Sequence, residues 1–81
     1  MYLAENISEL AIKYYTKSIR LYKREKFVGS IEKIYNNLGV IHARNNQRKL
    51  ARQNFDASLQ ISRETKNRFA ESETLFRLAQ L

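Results

Sequence analysis

His42 is the only imidazole in the chain, and no cysteine stands beside it. Structural and catalytic zinc sites draw on several Cys or His ligands, and a nucleophilic triad needs an activating base beside its nucleophile. Neither constellation can be assembled here, so His42 is expected to be a packed or edge-exposed side chain at a core-facing position. The carboxylates offer no alternative. Glu71 and Glu73 are two residues apart and diverge on a helix, and Glu64 lies in a basic neighbourhood. Gly29 and Gly39 are isolated, which leaves no glycine-rich phosphate loop. The sequence therefore predicts no enzyme, no metal and no cofactor.

What remains is the chemistry of cations and amides. Fifteen Lys and Arg against eight Asp and Glu leave a net charge of +7, which favours an acidic partner. Lys13, Lys17, Arg20 and Arg24 fall within about 60° of one another on a helix. Such a stripe can meet nucleic-acid phosphates or another anionic surface. A plainer reading accounts for it better. Glu5 and Glu9 open the same helix and the cations gather toward its C-terminal end, the order that the helix dipole favours. Glu9 and Lys13 also have the spacing of a helical ion pair. The stripe is expected to be a solvated face, and nucleic acid is not the expected partner.

The elements that position these groups must be helices. Eighty-one residues with no Pro and two Gly lack the punctuation of a many-stranded fold, and an apolar fraction of 43% is that of a globular chain. The all-α reading rests on periodicity as well. A first segment, about 6–26, repeats Leu10, Ala11, Tyr14, Tyr15, Ser18, Ile19 and Tyr22 at three- and four-residue steps. Phe27 to Ser30 breaks it, with Gly29 suited to a left-handed turn and Ser30 to capping. A second, about 31–44, carries Ile31, Ile34, Tyr35, Leu38 and Ile41. Asn45-Asn46-Gln47 follows as a short connection tolerant of left-handed backbone. A third, about 48–65, carries Leu50, Ala51, Phe55, Ser58 and Leu59. After Lys66-Asn67, a fourth runs from Arg68 to Leu81 with Phe69, Leu75 and Leu78. No run approaches the length of a membrane span, and no basic stretch leads into an apolar one at the N-terminus. A cytoplasmic chain is the default.

Sliding the sequence against itself by 40 residues superposes Leu10 on Leu50, Ala11 on Ala51, Tyr15 on Phe55, Ser18 on Ser58 and Leu38 on Leu78. Matches at the periodic helix positions indicate stacked helix–turn–helix units. From Tyr35 the chain reads Tyr35-x2-Leu38-Gly39-x2-His42, then Ala51-x3-Phe55-x2-Ser58. This pattern resembles the tetratricopeptide repeat, with Tyr35 in place of the usual Trp, His42 in place of the usual Tyr, and Arg63 where a Pro is common. The 40-residue spacing resembles a subtype found in spindle-orientation adaptors and bacterial peptide-sensing regulators.

The resemblance implies one domain over 1–81: a second-helix half at 6–26, a full repeat at 31–65 and a first-helix half at 68–81. It implies a right-handed helical solenoid of about four antiparallel helices. Gly39 and Ala51 would permit close helix approach, with Phe55 filling the space beside them. The second and fourth helices would line a concave groove in which Asn37 contacts a ligand backbone. Lys33, Asn36, Val40 and Arg44 would share that face, continued by Phe76, Arg77 and Gln80. The implied function is a non-catalytic scaffold for a peptide or partner helix, of acidic character given Lys33, Arg44 and Arg77. The alternatives are a fragment of a peptide-sensing regulator, or a small basic subunit of a larger assembly. Because repeats bury their faces on neighbours, the last apolar face (Phe69, Leu75, Leu78, Leu81) is expected to dock on a second copy, another chain or an absent part of a longer protein.

Overall fold

In a computed structural model the described residues are 2–25 and 28–81, with side chains described for 8–24 and 31–81. They form four helices and no strand: α1 (Tyr2–Glu25), α2 (Val28–Arg44), α3 (Arg48–Glu64) and α4 (Arg68–Gln80). The all-α expectation holds, and the periodic segments become helices in the expected order. Two starts differ. α1 begins at Tyr2, ahead of the expected position 6. α2 begins at Val28, so Gly29 and Ser30 lie inside its first turn; Gly29 makes no left-handed turn and Ser30 is not the residue before the helix. Backbone N–H groups in a first turn have no intrahelical partner, which makes that turn tolerant of weak helix formers. Phe27, the first residue of the expected break, lies outside the described residues.

The two later connections use one geometry twice. Asn46 adopts φ 61° and Lys66 φ 57°. At the first, Gln47 N–H donates to His42 O at 2.8 Å and Asn46 N–H to Ala43 O at 3.1 Å. At the second, Asn67 N–H donates to Ser62 O at 2.8 Å and Lys66 N–H to Arg63 O at 3.2 Å. Both are Schellman closures around a left-handed residue. Asn67 then caps α4 by accepting from Ala70 N–H at 3.1 Å.

Each helix packs on the next, α2 against α3 most extensively; α3 also packs on α4, α2 touches α4, and among the described residues α1 packs on α2. Ile19, Ile31 and Leu38 centre one apolar cluster, joined by Ile12, Tyr15, Tyr22, Ile34, Tyr35 and Ile61. Lys23 Nζ sits 5.8 Å from the Tyr35 ring centroid, joining α1 to α2 by a cation–π contact. Having one packing partner among the described residues narrows the buried stripe of α1. Leu10 and Tyr14, expected on the core side, are therefore 52% and 59% exposed, while Ile12 takes the inner position.

The tightest contact is between α2 and α3. Ala51 and Phe55 are buried, and a Cβ placed on Gly39 would lie 2.5–2.8 Å from Phe55 ring atoms. No side chain fits at that position without displacing the ring. Positions related by the 40-residue shift differ in burial, those of α3 lying deeper than those of α1. Ala51, Phe55 and Ser58 are buried while Ala11, Tyr15 and Ser18 are half-buried, and Leu50 and Leu10 are both exposed.

Candidate functional site

A polar seam joins α2, α3 and α4. Ser58 on α3 donates its hydroxyl proton to the Glu32 carbonyl on α2 at 2.8 Å. That commits its only proton, so in the 3.1 Å contact with Thr74 on α4 the Thr74 hydroxyl is the donor. The Glu32 carboxylate accepts from Asn67 Nδ2 at 3.0 Å, and Thr65 Oγ1 lies 3.4 Å from it. Ser62 donates to the Ser58 carbonyl one turn back. Glu32, Ser58, Ser62 and Thr74 are all buried. A buried polar group is tolerable when it is hydrogen-bonded, and this seam fixes how α4 sits on the α2–α3 pair.

Above the seam, α2 and α4 flank two concavities. One, about 230 Å³, is lined by Val40, Ala43 and Arg44 from α2, Phe55 from α3, and Arg77, Gln80 and Leu81 at the α4 end. The other, about 290 Å³, takes Glu32, Lys33 and Asn36 from α2, Ser58 from α3, and Asn67, Phe69, Ala70, Glu73 and Thr74 from the α4 side. Six of the eight residues expected on the ligand face therefore line this α2–α4 cleft: Val40, Arg44, Arg77 and Gln80 at one end, Lys33 and Asn36 at the other. Asn37, half-buried, and Phe76, 63% exposed, line neither concavity.

Two polar atoms in the cleft are buried without a hydrogen-bond partner: Arg77 Nε at one end and Asn36 Oδ1 at the other. Arg77 brings a fixed cation to the end that also holds Arg44. Asn36 is 6% exposed and donates through Nδ2 to Glu73 Oε1 at 3.3 Å. Unpaired buried groups are infrequent in folded proteins, so each calls for a physical explanation.

Sequence reading did not single out Glu32, Ser58, Asn67, Phe69, Glu73 or Thr74 as lining residues. The available signal was weak: Glu32 and Asn36, like Glu73 and Arg77, are four apart and share a helix face. His42 is buried, with Nδ1 2.8 Å from Gln47 Oε1, so it packs beside the α2–α3 connection as expected.

On α1, Lys13, Lys17, Arg20 and Arg24 are all exposed. The Glu9–Lys13 pair expected from spacing does not form; among the described residues the one ion pair is Arg63 with Glu71 at 3.0 Å. Both Glu9 and Lys13 are exposed, where the entropy of holding two long side chains offsets the attraction. No helix among the described residues is long and apolar enough to cross a membrane. No family model matches the chain, and comparisons with curated proteins and with solved structures found no match.

Proposed function

We propose that this chain is a non-catalytic protein–protein interaction scaffold of tetratricopeptide type, whose α2–α4 cleft receives an acidic peptide segment. The observation that carries the reading is the convergence of Arg44 and Arg77 on one apolar-floored concavity, with Arg77 Nε buried and unpartnered. A guanidinium in that position presents donors in a planar fork that matches a carboxylate. The repeat assignment is supported by the twin connections and by the Gly39–Phe55 contact.

Calorimetric titration with an N-acetylated acidic tetrapeptide bearing a free carboxyl terminus tests this reading. The double variant Arg44→Gln/Arg77→Gln is expected to weaken binding by about ten- to a hundredfold, the range for losing hydrogen bonds to a charged group. Lys17→Glu/Arg20→Glu is expected to leave binding unchanged. The reverse pattern, with affinity falling linearly in log salt, would assign function to the α1 stripe and to a polyanionic partner, as four exposed and unpaired cations on one face permit.

The same reading makes the outer faces of the end helices assembly surfaces. Leu10, Tyr14 and Leu21 on α1 and Leu75 and Phe76 on α4 are exposed apolar side chains. Sedimentation is expected to show association at micromolar concentration. A monodisperse, well-folded monomer there would remove this part of the account.

A further inference from the structure

We propose that the second concavity of the cleft, the one into which Asn36 is set, binds the ammonium group of a peptide: a free amino terminus or a lysine side chain. This deepens the scaffold reading and rests on it, giving the cleft a cation-binding end opposite its carboxylate-binding end.

The argument is an inventory of donors and acceptors. Asn36 Nδ2 donates to Glu73, which orients the amide and leaves Oδ1 buried with no partner. The Ser58 proton is committed to the Glu32 carbonyl and the Thr74 proton to Ser58, so neither hydroxyl has a proton to offer a ligand. Glu32 accepts from Asn67, the single Thr65 proton going to the nearer Ile61 carbonyl at 2.9 Å, and its carboxylate is not ion-paired. Glu73 is exposed and likewise not ion-paired. Among what is left uncommitted, acceptors outnumber side-chain amide donors: Asn36 Oδ1, Glu73 Oε2, the second lone pair of Glu73 Oε1 and the Thr74 lone pairs stand against one further amide proton each on Asn36 and Asn67. Lys33 is the one cation in the lining and is itself exposed.

A ligand suited to such a set brings several protons and no lone pairs. An ammonium has three donors and no acceptor, and it is compact enough to reach a buried amide oxygen. Phe69, 80% exposed at the rim, offers a ring face to the cation or to the methylenes that carry it. Along α2, Asn36 to Arg44 is eight residues, or about 12 Å of helix. An extended peptide covers that distance in about four residues. Opposite charges at the two ends would therefore fix the direction in which a short segment lies in the cleft.

Three probes test the site by NMR on the nitrogen-labelled protein, followed at the Asn36 side-chain amide: tetraglycine amide with a free amino terminus, Nα-acetyl-lysine amide, and Nα-acetyl-norleucine amide as the uncharged control. Saturable shifts with one or both amines and none with norleucine are expected, and which amine responds identifies the source of the ammonium. Glu73→Gln, at an exposed position, is expected to weaken the responding amine about tenfold. Lys33→Ala is expected to tighten it by removing the competing charge. Equal responses to all three probes, or an affinity unchanged in Glu73→Gln, would overturn the proposal. If Glu73→Gln still binds the acetylated acidic tetrapeptide with wild-type affinity while the amines give no response, the ammonium site falls and the carboxylate end stands.

Discussion

Replacing Phe55 with Ala is expected to lower thermal stability by tens of degrees, a loss of about 3–5 kcal/mol. The ring is almost wholly buried on α3, edge-on to Gly39 of α2, and it floors the concavity that Arg44 and Arg77 border. Truncation removes the contact at the closest helix approach and enlarges a hollow that already exists, so the surroundings gain little by collapsing. Domains of this size have only about 5–15 kcal/mol in hand. Circular dichroism melts of the variant check the expectation. A melting point within a few degrees of wild type would mean that the α2–α3 contact is not the centre of the fold.

Gly39→Ala is the second large effect, and its sign is the informative part. On an open helix surface, this exchange stabilises by about 1 kcal/mol through backbone entropy and helix propensity. Here the new methyl would sit 2.5–2.8 Å from ring atoms of a side chain that is 1% exposed. Overpacking a filled core costs about 1–3 kcal/mol, so the net expectation is a loss of up to about 2 kcal/mol. A double variant isolates the cause. Combining Gly39→Ala with Phe55→Leu makes room for the methyl, and the pair is expected to be more stable than the sum of the single losses by at least about 0.5 kcal/mol. Stabilisation by Gly39→Ala alone, or strict additivity, would show that the ring yields freely.

The helices were legible because three- and four-residue recurrence survives any tertiary context. Asn46 as a left-handed connector was legible because an Asn tolerates that backbone region at low cost. Lys66 was a weaker signal, since a lysine carries no such mark, yet it adopts the same φ. The resemblance to the repeat implies that Gly39, Ala51 and Phe55 lie at one close approach; Gly39 and Phe55 do meet, and Ala51 is buried. Periodicity indicates which way a face points and leaves open how many neighbours cover it. That is why Leu10 and Tyr14, on the expected stripe of α1, stay exposed where, among the described residues, α2 is the helix that packs against α1.

The candidate site was legible in part for a similar reason. Lys33, Asn36, Val40, Arg44, Arg77 and Gln80 were expected on one face because the resemblance to the repeat implies a groove along the second and fourth helices. The acceptor-rich end could not. It depends on Ser58 spending its proton on Glu32, on Thr74 crossing from α4, and on Asn36 turning its amide toward Glu73. These partners are 16 to 37 residues apart in sequence and meet only through packing. Asn37, the residue singled out by the repeat pattern, lines neither concavity, whereas its neighbour Asn36 does.

The central claim is that the α2–α4 cleft is where a partner segment binds. Backbone amide shifts during titration with the acetylated acidic tetrapeptide test it most directly. The account predicts that perturbations concentrate at Val40, Ala43, Arg44, Arg77, Gln80 and Leu81, with α1 unmoved. Perturbations confined to the Lys13–Arg24 face of α1, or no saturable change anywhere, would contradict it.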